Sequence, residues 1–258
     1  MKKIQVAFFD VDGTLATHNH GQNTSILDRV PDSAKKAIKI LKKHQILPVI
    51  ATGRNRGMIK ELLTELELNN LIANNGRFVE LSGQIIMEDY FEDGQLRSIV
   101  SELNQQQVPF CFETADILYK HRSNTFEPDS SMDLVEIADG TLPEKVIQMI
   151  YRKNKPDQQV QLKTVGAKAV KVAPTVYDIT KAQSNKAVGV RKFLQQIQID
   201  PDNAIAFGDE ENDLEMFDCV GYSVAMGNAD EYVQKAADYV TSDIKKDGIL
   251  NAVLNLDL

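Results

Sequence analysis

Two aspartates two residues apart, Asp10 and Asp12, end an apolar run in FFDVDGTLAT. Carboxylates this close ionise together only where a cation shares them. A third, Asp209, closes the apolar run AIAFGD, and Glu210, Glu211, Asn212 and Asp213 follow at once. An oxygen-only donor set suits a hard ion, and few protein ligands completed by water suit Mg²⁺. Such an ion would also offset repulsion between an aspartate nucleophile and an anionic substrate. Taken alone, Asp12-Gly13 is a strong turn dipeptide, and DEEND is the kind of charge run that usually faces solvent. The apolar lead-in to both is what sets them apart.

The elements that must position these acids are legible from periodicity. IQVAFFD, ILPVIATG and LIANNG read as buried strands. Between them, Ala34, Ala37, Ile38 and Leu41, then Met58, Ile59, Leu62, Leu63 and Leu66, mark amphipathic helices. Apolar strands alternating with such helices predict a parallel sheet covered on both faces. In such sheets ligands bind beyond the carboxyl ends of the strands. Asp10, Asp12, Thr52, Asn75 and Asp209 all fall there.

After Gly76 the pattern changes. RFVELSGQIIM is a hairpin signal around Ser82-Gly83. A helix over Leu96–Leu103, strands PFCFET and ILYKH, a helix over PEKVIQMIY, and strands KAVKVAP and VYDIT follow. Strands next to strands predict an α+β module over residues 82–183, inserted into a core made of 1–81 and 184–258. In the second part of the core, Val190, Phe193, Leu194 and Ile197 share a helix face. AIAFGD, YSVAMGN and DYVTS read as strands, and GILNAVLNL as a closing helix.

The chain has 258 residues, 43% of them hydrophobic, and a net charge of −8. An acidic balance argues against a nucleic-acid partner. A small phosphorylated ligand needs only a local positive pocket. Cys111 and Cys219 stand alone in apolar runs and read as buried thiols. The apolar stretch at the N-terminus stops at Asp10, too short for a secretory signal, and no window reaches membrane-span length. The expectation is a soluble, cytoplasmic protein. His18 and His20 read as solvated loop histidines. Arg54 reads equally as a phosphate contact or as surface packing. The polar stretch 121–133 is a candidate ligand-facing loop, and Arg122 and Lys168 are candidate contacts for a second anionic group.

DVDGT after a strand, ATGR after the next, a lysine near a helix start and the late GDEENDLEMF resemble the haloacid dehalogenase-like phosphatases. NNG at 74–76, VAMGNA and the inserted module are similar to their Cof-type branch. The resemblance spans the whole core, with the motifs in order. It implies a Rossmann-like parallel-sheet core with an inserted α+β cap, a small phosphorylated metabolite as substrate, and a sugar phosphate as the favoured class, with nucleotide-like phosphates and pyridoxal phosphate open. By resemblance, Asp10 would form an aspartyl-phosphate and Asp12 would serve as acid, then base. Metal coordination would keep Asp10 ionised, and a less charged setting would leave Asp12 its proton. Thr52 and Lys186 would neutralise the transferring group. Asp10, Asp209 and the main-chain carbonyl of Asp12 would ligate Mg²⁺, with Asn212 and Asp213 completing the metal and phosphate shell. Gly13 and Gly53 would let main-chain N–H groups approach the phosphate, Arg54 is a candidate phosphate contact, and Asn75 reads either as a residue that pins the phosphate end or as a left-handed turn before Gly76. Lys186 is followed by Ala187 where that branch often has glycine, which keeps Lys181 and Lys192 in view as competitors. A phosphomutase of related architecture and a non-catalytic phospholigand sensor are the rival readings.

Overall fold

The computed structural model describes residues 3–18, 25–128 and 133–256. Two compact units emerge: Met1–Arg54, Ile59–Met87 and Asn185–Leu258 form one, Asn55–Met58 and Glu88–Ser184 the other.

The first unit is built on β1 (Val6–Phe9), β2 (Leu47–Ala51), β3 (Leu71–Ala73), β4 (Phe78–Leu81), β5 (Gln84–Glu88), β12 (Ala204–Gly208), β13 (Tyr222–Ala225) and β14 (Tyr239–Val240). Their order in the sheet is β14-β13-β12-β1-β2-β3-β4-β5. From β14 to β3 all pairs are parallel, and β4 turns antiparallel to β3. The chain moves outward one way from β1 to β3 and the other way from β12 to β14. The switch point therefore lies between β1 and β12, where α/β sheets open a crevice for ligands.

Both faces of β1 are buried, which is why its sequence is a continuous apolar run rather than an alternating one. Val6, Phe8, Val49, Ala51, Ala204 and Ala206 face α4 (Lys186–Ile197) and the short helices α5 (Leu214–Phe217) and α6 (Glu231–Ala236). α1 (Asp32–Lys43) and α7 (Gly248–Leu254) pack together, and α1 meets β2. α1 buries Ala34, Ala37, Ile38 and Leu41, the stripe its sequence spells out. α2 (Arg56–Glu65) buries Ile59, Leu62 and Leu63. Pro48 is tolerated inside β2 because the pairing with β3 begins only at Ile50.

Ser82 and Gly83 both have positive φ, 51° and 76°, the backbone of a tight two-residue hairpin turn. That hairpin keeps β5 in the eight-stranded sheet, so the sheet extends past residue 81.

The second unit is a six-stranded sheet in the order β10-β11-β9-β6-β7-β8. Its strands are β6 (Phe110–Glu113), β7 (Leu118–His121), β8 (Leu134–Ile137), β9 (Gln148–Arg152), β10 (Ala167–Lys171) and β11 (Val176–Lys181). All pairs are antiparallel except β7 with β8. α3 (Asp93–Gln105) sets Leu96, Ile99 and Leu103 against Phe110, Phe112, Met149, Tyr151 and Ile179. The segment PEKVIQMIY reads as helical from its sequence, but its second half is the start of strand β9 and its first half forms no helix. Its apolar spacing fits a helix, but a place between β6 and β11 sends Met149 and Tyr151 to one face and Gln148 and Ile150 to the other.

Candidate active site

Register brings the acids together. Phe9 of β1 lies opposite Phe207 of β12, and their rings stack at 4.6 Å. The Asp10 amide donates to Phe207 O at 3.0 Å. Asp10 follows directly on Phe9, and Asp209 follows Gly208, the last residue of β12; each is 5% exposed. The chain then folds tightly over Val11–Ala16, with the Ala16 amide donating to Val11 O at 2.7 Å. Gly13 has φ +85°, and a Cβ there would sit 1.9 Å from Asp209 Oδ2. Only glycine gives both the conformation and the room. Thr14 Oγ1 donates to Asp209 Oδ1 at 2.8 Å.

Lys186 opens α4 directly after Asn185, whose side chain accepts from the Val188 amide as helix cap. No part of Lys186 is exposed. Its Nζ donates to Asp10 Oδ1 at 2.6 Å, Asp213 Oδ1 at 2.7 Å and Asn212 Oδ1 at 3.4 Å. Burial opposes its charge, but Asp10 and Asp213 more than offset this and hold its pKa above the usual lysine range. Neither competing lysine takes part in this contact. Lys181 belongs to the other unit and pairs with Asp89, and Lys192 points from a later turn of α4.

Asp213 is fully buried and faces two ways. Its Oδ2 accepts from the amides of Asp209 and Glu210 at 3.0 and 3.1 Å, fixing the chain after β12, while Oδ1 meets Lys186. Asp10, Asp209 and Asp213 offer carboxylate oxygens within 4.8 Å of one another, a group able to hold a metal ion.

Thr52, 1% exposed, follows directly on β2, and its Oγ1 accepts from the Arg54 amide at 3.2 Å. Its backbone binds both Ile72 O and the Asn75 amide, which joins the ends of β2 and β3. Asn74 and Asn75 take positive φ, 49° and 51°, and the Asn75 amide group faces Gly53.

Arg54 contacts Asp12 rather than open solvent. Its Nε and a terminal nitrogen donate to the two Asp12 oxygens at 2.6 and 2.8 Å, and Arg29 adds a contact at 3.4 Å. Burial acts to raise the Asp12 pKa, but hydrogen bonds and charge from Arg54, then from Arg29, hold it below the ordinary carboxylate range. Asp10 is the reverse case. Burial, then the charges of Asp213 and Asp209, push it well above that range despite Lys186. Burial and like charge thus act on Asp10, and the guanidinium groups on Asp12, in opposite directions.

Three participants were given no role from sequence. Thr14 and Asn228 both bind Asp209, and Asn228 Nδ2 also donates to Gly13 O at 2.9 Å. The motifs DGT and MGNA carry them in plain sight. His18, expected in solvent, is half-buried with Nε2 at 3.3 Å from Asp209 Oδ2, and that carboxylate raises its pKa. Nothing local signals this, because it depends on how the chain folds back over Gly13. His20 lies outside the described residues, as does part of the loop 121–133.

At its switch point the parallel sheet thus gathers three carboxylates, two of them on one buried ammonium. The chain belongs to the haloacid dehalogenase-like hydrolases, whose family model matches residues 7–253. Like its named relatives, it is a phosphatase of that family. YkrA of Bacillus subtilis, provisionally named a phosphatase, is 28% identical over 98% of both chains. The 5-amino-6-(5-phospho-D-ribitylamino)uracil phosphatase YitU of Bacillus subtilis is also 28% identical, over 93% of both. Among solved structures, the phosphatase BT1666 of Bacteroides thetaiotaomicron is similar with a TM-score of 0.81 and 25% identity, covering 98% of this chain and 94% of that one. Among the described residues no helix is long and apolar enough to cross a membrane.

Proposed function

We propose that the chain hydrolyses the phosphate monoester of a small metabolite in two steps, with Asp10 as nucleophile. A carboxylate oxygen of Asp10 attacks phosphorus, the bond to the ester oxygen breaks, and an aspartyl-phosphate forms. Asp12 gives its proton to the departing alcohol. The same carboxylate then takes a proton from water as that water attacks phosphorus, releasing Asp10 and inorganic phosphate.

The observation that carries this reading is Lys186, a fully buried ammonium 2.6 Å from Asp10 Oδ1. A positive charge already fixed beside the reacting carboxylate stabilises charge on the transferring group without reorganisation. Thr52, Gly13, Gly53, Asn75 and Asn212 surround the phosphate in this account. An incoming phosphate also competes for Arg54. As that guanidinium turns to the anion, Asp12 regains an ordinary affinity for a proton.

The acids fit a divalent cation. They form an all-oxygen donor set, and burial with like charges disfavours the anion of Asp10. Asp10 and Asp209, with the Asp12 main chain and with Asp213 alongside, would hold Mg²⁺. Bound there, the ion supplies the positive charge that offsets repulsion between aspartate and phosphate.

A sugar or sugar-alcohol phosphate is the proposed substrate class. YitU, by its name, acts on a phosphate carried by a ribityl chain. The six-stranded unit is proposed as the substrate-selecting cap, since contacts to non-reacting groups choose among substrates. A cytoplasmic setting belongs to the same proposal, supported by two unpaired cysteines.

Turnover of p-nitrophenyl phosphate tests the reading. Asp10→Asn is expected to lower kcat by roughly a thousandfold or more in a protein that still folds, and EDTA to silence the wild type until Mg²⁺ is restored. Chelator-resistant activity, or near-normal turnover by the variant, would refute it.

A further inference from the structure

One face of the six-stranded sheet is apolar and packs on α3. The opposite face carries a small apolar cluster of Cys111, Leu118, Phe126 and Ile150. Strand alternation places Glu113, Gln148, Thr180 and Lys168 on that same face. They form one cross-strand row. Glu113 lies opposite Gln148, and Thr180 opposite Lys168. The β11–β9 register, carried one residue further, sets Thr180 opposite Gln148.

The row is buried but incompletely hydrogen-bonded. Glu113 is 1% exposed, and Gln148 and Thr180 are 2% each. Gln148 Nε2 donates to Glu113 Oε2 at 2.8 Å. Gln148 Oε1 and Thr180 Oγ1 have no protein partner, and neither has the buried Ser184 Oγ just beyond β11. Buried polar atoms are nearly always paired, so three unpaired in one neighbourhood call for a hydrogen-bonding guest, either water or ligand. The chemistry of the row defines that guest. An amide oxygen and a carboxylate accept, and a threonine hydroxyl both accepts and donates. Neutral hydroxyl groups satisfy such a set. A second anionic group does not, because Glu113 is in the row. Lys168, a sequence candidate for such an anion, instead donates to Ser184 O at 3.1 Å.

We propose that Glu113, Gln148 and Thr180 form a hydroxyl-recognition subsite that selects phosphate esters of polyhydroxylated alcohols. The proposal rests on the phosphatase reading above. It assigns the discrimination to this row rather than to the polar stretch 121–133.

The test compares kcat/KM, with Mg²⁺ supplied, for ribitol 5-phosphate, ribose 5-phosphate and glucose 6-phosphate against p-nitrophenyl phosphate. Wild type is expected to prefer at least one polyol ester. Gln148→Leu and Thr180→Val should each lower the ratio of that ester to the aryl ester by roughly tenfold or more, mainly through KM. Thr180→Ser, which keeps the hydroxyl, should retain the wild-type ratio and covers the case in which an apolar variant fails to fold. An unchanged ratio in Gln148→Leu and Thr180→Val means that water alone fills the row, and this overturns the proposal. So does a wild type indifferent to hydroxyl number, or a Thr180→Ser ratio as low as that of Thr180→Val. A wild type that cleaves no ester at all sinks the phosphatase reading and this proposal with it, a result distinct from active enzyme with an unchanged ratio.

Discussion

Lys186 neutralises part of the charge of a buried cluster of three carboxylates. Its ammonium lies between Asp10 and Asp213, and all three side chains are essentially out of water. Removing one partner of a buried ion pair leaves the other charge uncompensated, at about 3–5 kcal/mol. Lys186→Met is therefore expected to lose that order of stability in urea unfolding. It should also lose about a hundred- to thousandfold in kcat. Unchanged stability would mean that Asp10 and Asp213 are neutral in the resting protein. At this scale the sequence is unevenly legible. Asp10, Asp12 and Asp209 announce themselves because apolar strands end on them. Lys186 is one of three lysines within a short stretch, and only the position of α4 selects it. The ion pair of Arg54 with Asp12 and the approach of His18 to Asp209 are contacts between loops, for which no periodicity exists.

The position of α4 is itself set by close backbone packing. A Cβ on Gly189 would meet Ile72 Cγ2 at 2.4 Å and Gly76 Cα at 2.9 Å, so the helix lies directly on the end of β3 and the loop 74–76. Gly76 has φ +86°, and a Cβ there would strike Asn185 O at 2.1 Å. The element that presents Lys186 and the loop that presents Asn75 thus share one glycine-lined contact. Gly189→Ala should push them apart at a cost of about 1–3 kcal/mol, lowering the melting temperature and kcat together. A variant that melts as wild type and turns over normally would show that the contact does not position the lysine. The core elements follow from sequence because each face of the parallel sheet demands apolar residues at fixed spacing. β9 does not, since Val146, Ile147, Met149 and Ile150 fit a helix as well as a strand, and neighbouring strands decide.

For the whole molecule, the six-stranded sheet predicts how stability varies with pH. Burial pushes the Asp178 carboxyl up to about 7. In the unfolded chain it titrates near the ordinary aspartate value of about 3.9. The folded protein therefore holds a proton that the unfolded chain has released. Stability falls as pH rises between these values, and the loss is complete above the folded pKa. Each pH step of one between the two values costs about 1.4 kcal/mol, so the full loss is at most roughly 4 kcal/mol. Asp178→Asn should remove this slope and gain on wild type at pH 8 in urea unfolding. An equal slope in both proteins would place the titration elsewhere.

In the proposed mechanism Asp10 carries the phosphoryl group between the two steps. Quenching the protein during turnover of a phosphate ester in Mg²⁺, reducing with borohydride and mapping peptides by mass spectrometry tests it directly. An acyl phosphate on Asp10 is reduced to the side-chain alcohol, so residue 10 should be recovered as homoserine in the presence of substrate and as aspartate without it. Reduction at another residue, or no reduced residue in a protein that is turning over, would contradict the account.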